Sequence, residues 1–145
     1  MKFAEFYAGQ VITLGPVSVS EREIIEFARA YDPQWFHTDA TRAAASRWQG
    51  LIASGWHTCA LAMRLVCDHL LAGSESVGSP GVAYLKWPAP VRANEPLALR
   101  VEVLEVRRSR RRPELGVLRW RWRLHHEDGR DALELEATSL FQLET

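Results

Sequence analysis

Two short segments hold the residue types that could do chemistry. Tyr31-Asp32-Pro33-Gln34-Trp35-Phe36-His37-Thr38-Asp39 sets a carboxylate and an imidazole five positions apart in a stretch that proline and the Trp35-Phe36 pair make an irregular turn. Leu51-Ile52-Ala53-Ser54-Gly55-Trp56-His57-Thr58 is a small-residue turn that opens a very apolar run. Unperturbed, such a carboxyl and imidazole titrate near about 3.9 and 6.5. Around neutral pH the first accepts a proton and the second accepts or donates one, which suits paired proton transfers. Backbone N–H groups in a helix's first turn lack internal partners and sit at the positive end of the macrodipole. A glycine there lets a ligand approach closely. Such N–H groups can stabilise charge on a thioester oxygen. Together these are the parts needed to add water to an activated double bond.

Spacing alone leaves plainer readings open. Asp32 could cap a turn, and His37 could be a polar residue leading into the next helix. Asp39 could support His37 or serve as the N-cap of a helix through Ala45. Gly55 could merely permit tight packing. His57 is a second imidazole, expected to bond locally or to line a pocket with Ser54 and Trp56. Arg107, Arg108, Arg110, Arg111 and Arg112 precede Pro113 at a predicted strand-turn-strand tip. They read as a solvated loop, or, at Arg110 and Arg111, as contacts for the phosphates of a nucleotide-bearing substrate. No metal-ligand spacing occurs, and the adjacent His125 and His126 on a strand point opposite ways. There is no Gly-x-Ser-x-Gly and no phosphate loop.

The elements that must position these residues follow from pattern. Ser20 and Glu23 form a capping-box pair before a helix over Glu21–Ala30, which Asp32-Pro33 stops because the residue before proline avoids helical angles. A third helix, Gly55–Leu71, is apolar around most of its circumference and is expected to be buried. A loop over Gly73–Gly81 follows. Strands are expected over Val82–Trp87, Leu97–Arg107, Leu115–Glu127 and Ala132–Leu143, with Val11–Val19 extended. In Leu118-Arg119-Trp120-Arg121-Trp122-Arg123-Leu124 apolar and cationic residues alternate with period two. Leu104 and Val106 switch face relative to Leu97, Leu99, Val101 and Val103, which predicts a bulge. Asp128-Gly129 marks a hairpin. Helices first and an antiparallel run afterwards make an α+β arrangement, most economically a curved sheet around the apolar helix.

Composition bounds the rest. The chain has 145 residues, 47% apolar and 25% charged, with zero net charge; one domain over residues 1–145 is expected. Ten arginines against four glutamates in 92–123, and six acids against one arginine in 124–145, are opposite blocks that can face each other across strands. No domain-wide basic excess points to nucleic acid. The apolar stretch from Cys59 to Leu71 is interrupted by Arg64 and Asp68, so no membrane span is expected. The first residues lack a signal peptide's apolar core, and a cytoplasmic location is the expectation. Cys59 and Cys67 lie about two helical turns apart, beyond disulfide reach, and read as buried small apolar residues.

Tyr31 to Asp39 and Gly50 to Thr58, with Gly78-Ser79-Pro80-Gly81-Val82 and Pro90-Val91-Arg92, resemble the MaoC-like dehydratase family, which includes the (R)-specific enoyl-CoA hydratases. The resemblance runs from about Val11 to Phe141. It implies the hotdog fold, an antiparallel sheet wrapped around a long central helix, usually as a homodimer acting on acyl-CoA or another acyl thioester. It implies that Asp32 and His37 are the catalytic pair and that the Gly55 N–H forms the oxyanion hole. Reversible hydration of a trans-2-enoyl thioester would need no cofactor, CoA being part of the substrate. Some relatives support the aspartate with a helix serine; the matching residue here is Met63, so that support falls to another group such as Ser54 or Thr58. The same fold also hosts acyl-CoA thioesterases, and an acyl-thioester binding protein without turnover is a third reading.

Overall fold

The computed structural model describes residues 1–144. A 3-10 turn at Phe3–Glu5 precedes strand β1 (Val11–Val17). Helices α1 (Glu21–Tyr31), α2 (Trp35–Thr38), α3 (Ala40–Ala44) and α4 (Gly55–Val66) follow, α4 continuing as a π-helical turn over Cys67–Leu71. Strands β2 (Ser76–Lys86), β3 (Leu97–Arg108), β4 (Leu115–His126) and β5 (Asp131–Gln142) complete the fold. The five strands form one antiparallel sheet in the order β1-β3-β4-β5-β2.

Period-two patterning decides which face is buried. Leu97, Leu99, Val101 and Val103 of β3 are buried, with Trp120, Trp122 and Leu124 of β4 and Leu133, Leu135 and Phe141 of β5. Against them pack Ala62, Leu65 and Val66 of α4 and Leu70 of its last turn. The register skips Leu104, between Val103↔Trp120 and Glu105↔Arg119, so the expected bulge is present. The opposite charge blocks do meet on the outer face, where Arg119 bonds Glu136 and Arg123 bonds Glu134; within the first block Arg119 also bonds Glu105 and Arg121 bonds Glu102. Cross-strand pairs of this half-exposed kind contribute about 0.2–1 kcal/mol each.

Three expectations need correction. Ser76–Gly81, read as loop, is paired to β5, although the register shifts three times along β2. The Gly, Ser and Pro residues there hide a strand because it lies at a sheet edge, where proline and bulges are tolerated. Trp35–Thr38, read as an irregular turn, is one helical turn. The helix α4 is not buried all round: Trp56 is 57% and Met63 40% exposed, and Val82 and Trp87 are exposed beside them. Its outer apolar face meets cavity instead of packed side chains.

Candidate active site

Asp32 and His37 converge because the chain turns between the end of α1 and the single turn of α2. α1 ends at Tyr31, where Asp32, preceding Pro33, leaves the helical region and caps the helix. The single turn α2 then rotates His37 inward, leaving it 5% exposed, with its Nε2 3.3 Å from Asp32 Oδ2. His37 Nδ1 is 2.6 Å from the Ile52 carbonyl oxygen. A carbonyl only accepts, so Nδ1 carries a proton and Nε2 is the nitrogen that faces the carboxylate. Phe36 packs edge-on against the imidazole.

Both oxygens of Asp32 are held. Gln34 Nε2 donates to Oδ1 at 2.7 Å, and Ser54 Oγ donates to Oδ2 at 2.7 Å. Burial by itself would raise this carboxyl. The hydrogen bonds from Gln34 and Ser54, together with the adjacent His37, outweigh burial and hold it below its ordinary value. Ser54 is fully buried and is also the N-cap of α4, its Oγ accepting from Trp56 N at 3.3 Å. Of the two candidates for supporting Asp32, Ser54 makes the contact, while Thr58 Oγ1 donates to the Ser54 carbonyl. Met63, expected beside the aspartate, lines a separate cavity.

Gly55 is the first residue of α4, so its N–H has no acceptor within the helix. Tight packing applies as well: a Cβ at Gly55 would lie 2.4–2.7 Å from ring carbons of Trp87. Ile52 N–H donates to the Phe36 carbonyl and Ala53 N–H to the Val91 carbonyl, which fixes the segment before Gly55 between α2 and the wall beyond β2. A cavity of about 230 Å³ results, into which His37, Ile52, Gly55, Thr58, Trp87 and Ala132 project. Pro88 to Val91 form its wall. This wall is tied to β4 by the buried His126, whose Nε2–H donates to the Pro90 carbonyl at 3.1 Å while Nδ1 lies 3.0 Å from Glu95 Oε2.

A second cavity, about 440 Å³, lies between α4 and the sheet. Its walls are almost wholly apolar and include Trp56, Cys59, Met63, Val82, Leu85 and Leu135. No charged side chain lines it. Trp56 and Trp87 touch edge to face, with ring centroids 5.1 Å apart.

The structure thus gathers Asp32, His37, Ser54 and Gly55, with Trp56 alongside. It does not bring in the other candidates. His57 lines neither cavity; its ring stacks on Phe27 at 4.5 Å, its Nδ1 has no partner among the described residues, and burial lowers its pKa. Asp39 is the N-cap of α3, accepting from Arg42 N. Arg110 and Arg111 sit in the β3–β4 turn before Leu115, whereas the cavity-lining Ala132 lies beside Leu133, which pairs with Leu124. Those nine residues of β4 put the arginine tip about 30 Å from the cavity within one chain. Among the described residues no three His, Cys, Asp or Glu side chains are grouped to hold a metal, and no helix is long and apolar enough to cross a membrane. Sequence reasoning missed Gln34, Trp87 and the Pro90–His126 tie. The run Trp87-Pro88-Ala89-Pro90 carried the one available signal, since two prolines impose an extended wall.

Comparison with known proteins bears on the family and the fold. A family model described as a MaoC like domain matches residues 4–118. YdeM of Bacillus subtilis, an uncharacterized protein, is 34% identical over 118 residues, covering 81% of this chain and 82% of its own. The 3-hydroxyacyl-thioester dehydratase Z of Mycobacterium tuberculosis is 36% identical over 77 residues, 52% of this chain and 51% of that enzyme, so the match spans about half of each. The crystal structure of the MaoC-like dehydratase from Rhodospirillum rubrum superposes with a TM-score of 0.86 at 28% identity, covering 98% of this chain and 97% of that one. A five-stranded antiparallel sheet around α4, a family match over most of its length and a hotdog relative superposing nearly end to end make this chain a member of the MaoC-like dehydratase family.

Proposed function

We propose that this protein is an acyl-thioester hydratase/dehydratase, adding water reversibly to a trans-2-enoyl-CoA to give the 3-hydroxyacyl-CoA. The observation that carries the reading is the Asp32–His37 contact at 3.3 Å, beside a cavity that His37 and Gly55 both line. A water held between Oδ2 and Nε2 gives its oxygen to C3 and its proton to Asp32. His37 Nε2–H protonates C2 on the same face, and the pair of electrons from the double bond forms that C–H bond. Negative charge that builds on the thioester oxygen meets the Gly55 N–H and the helix dipole. Asp32 then returns its proton to His37 across the 3.3 Å contact, so both groups are reset.

The Nδ1–H bond to Ile52 makes Nε2 the only transferable site on His37. Hydration therefore uses His37 protonated at Nε2, and dehydration uses it with that nitrogen free. The thioester itself activates the alkene, so the reading calls for no cofactor. The unpaired outer edge of β2 suits a homodimer. The arginine tip is assigned no part in the chemistry of its own chain.

The test is to follow the enoyl-thioester absorbance with trans-2-enoyl-CoA while titrating free thiol. Loss of absorbance without thiol release supports hydration. Thiol release from saturated acyl-CoA, with crotonyl-CoA untouched, would establish a thioesterase instead.

A further inference from the structure

Trp87 touches the walls of both cavities. Its indole lies against Gly55, which faces the smaller one. The same ring meets Trp56 edge-on at 5.1 Å between centroids, and Trp56 lines the larger one. Leu85, two positions earlier on β2, also lines the larger cavity. One side chain therefore stands where the two spaces would otherwise join.

Size gives this partition a consequence. Pockets for small molecules usually hold about 300–1,000 Å³. The cavity with His37 and Gly55 holds about 230 Å³ and falls below that range, while the two cavities joined fall well inside it. The larger space has the chemistry of a hydrocarbon site, with Met63, Val82, Leu135 and Ala137 in its walls and no charged side chain. The Trp87 ring lies against both Gly55 and Trp56, between a thioester held at Gly55 and that space.

Resting on the hydratase reading, we propose that Trp87 is the residue that sets acyl specificity, confining the protein to short acyl thioesters by separating the catalytic cavity from a preformed apolar groove. The groove carries no cation, so dicarboxylic acyl groups gain nothing from its opening. Binding energy for added methylenes becomes available only when the indole is removed.

The experiment is a chain-length series of trans-2-enoyl-CoA esters, four to ten carbons, with the parent and with Trp87→Ala and Trp87→Leu. The parent is expected to turn over the four-carbon ester with a kcat/KM at least 10-fold above the ten-carbon one. Each variant is expected to shift that ratio at least 10-fold toward ten carbons. Adding Ala60→Phe, which fills the groove, should cancel the shift. An unchanged ratio in folded variants, or a parent that already prefers ten carbons, overturns the proposal. Binding of butyryl-CoA and decanoyl-CoA, measured by calorimetry on the same proteins, separates the two claims. If no ester is hydrated, the reaction assignment fails, yet a decanoyl-CoA affinity that rises on Trp87→Ala still supports the partition, and one that does not rise overturns it.

Discussion

Ser54 Oγ lies 2.7 Å from Asp32 Oδ2, so one buried hydroxyl ties the carboxylate that ends α1 to the first turn of α4. The same oxygen accepts from Trp56 N. The acid and the helix terminus that carries Gly55 are thereby held in one frame.

Removing that hydroxyl has two separable effects. Ser54→Ala loses an N-cap, a stability cost of about 0.5–2 kcal/mol, readable as a lower urea midpoint. It also loses a donor that holds the Asp32 carboxyl below its ordinary value. With that donor gone the carboxyl rises, and the acid limb of the kcat/KM profile should move to higher pH. Ser54→Thr keeps the hydroxyl and should restore the limb. A limb that stays in place in Ser54→Ala would show that Ser54 acts only as a cap.

Gly55→Ala tests the closeness of Trp87. A methyl there would stand 2.4–2.7 Å from the indole carbons, so the ring must leave its place over the helix start. Activity on a short enoyl-CoA should fall at least 10-fold although alanine favours helix. In a Trp87→Ala background the same change should cost little. Losses that simply add across the double variant would mean that the two residues do not clash.

His57 offers a check on the second imidazole. It lines neither cavity, and its Nδ1 is buried without a partner among the described residues. His57→Phe can keep the stack on Phe27 and should leave turnover within about two-fold, because no proton transfer of the 10²–10⁴-fold kind is lost. Its effect on pH dependence has a definite sign. Burial lowers the folded pKa of His57, so between the folded and unfolded values the unfolded chain binds the extra proton. Its contribution is present above the unfolded value of about 6.5 and is lost as pH falls below it. Urea midpoints of the parent should therefore drop on the acid side more steeply than those of His57→Phe. Parallel curves would contradict this.

Trp120 anchors the sheet's inner face. It is fully buried, packs edge-on with Phe6 and Trp122, and donates its Nε1–H to Ser139 Oγ at 3.2 Å. Trp120→Ala should destabilise by about 3–5 kcal/mol, with chemical denaturation as the readout. A cost below about 1 kcal/mol would mean that the site collapses without strain.

The strands and the central helix were legible because their signals are periodic. Leu118 to Leu124 and Leu97 to Val103 alternate, and the face switch at Leu104 marked the bulge that the register shows. Asp32, His37 and Gly55 were legible because proline and small residues break the pattern around them. What stayed hidden depends on groups distant in sequence. Ile52's carbonyl fixes the His37 tautomer from 15 residues away, and His126 holds Pro90 across 36. Neither contact has a local signature. The strand Ser76–Gly81 was hidden for the opposite reason, since its composition is that of a loop and only pairing with β5 makes it a strand. The outer face of α4 was misjudged because an all-round apolar helix fits a cavity as well as a packed core.

In the proposed reaction Asp32 and His37 move the protons. The most direct measurement compares the initial rate of trans-2-enoyl-CoA hydration in the parent, Asp32→Asn and His37→Gln, with butyryl-CoA affinity measured on the same samples. A loss of about 10²–10⁴-fold is expected in each variant, with affinity retained. Rates equal to the parent's in both variants would contradict it.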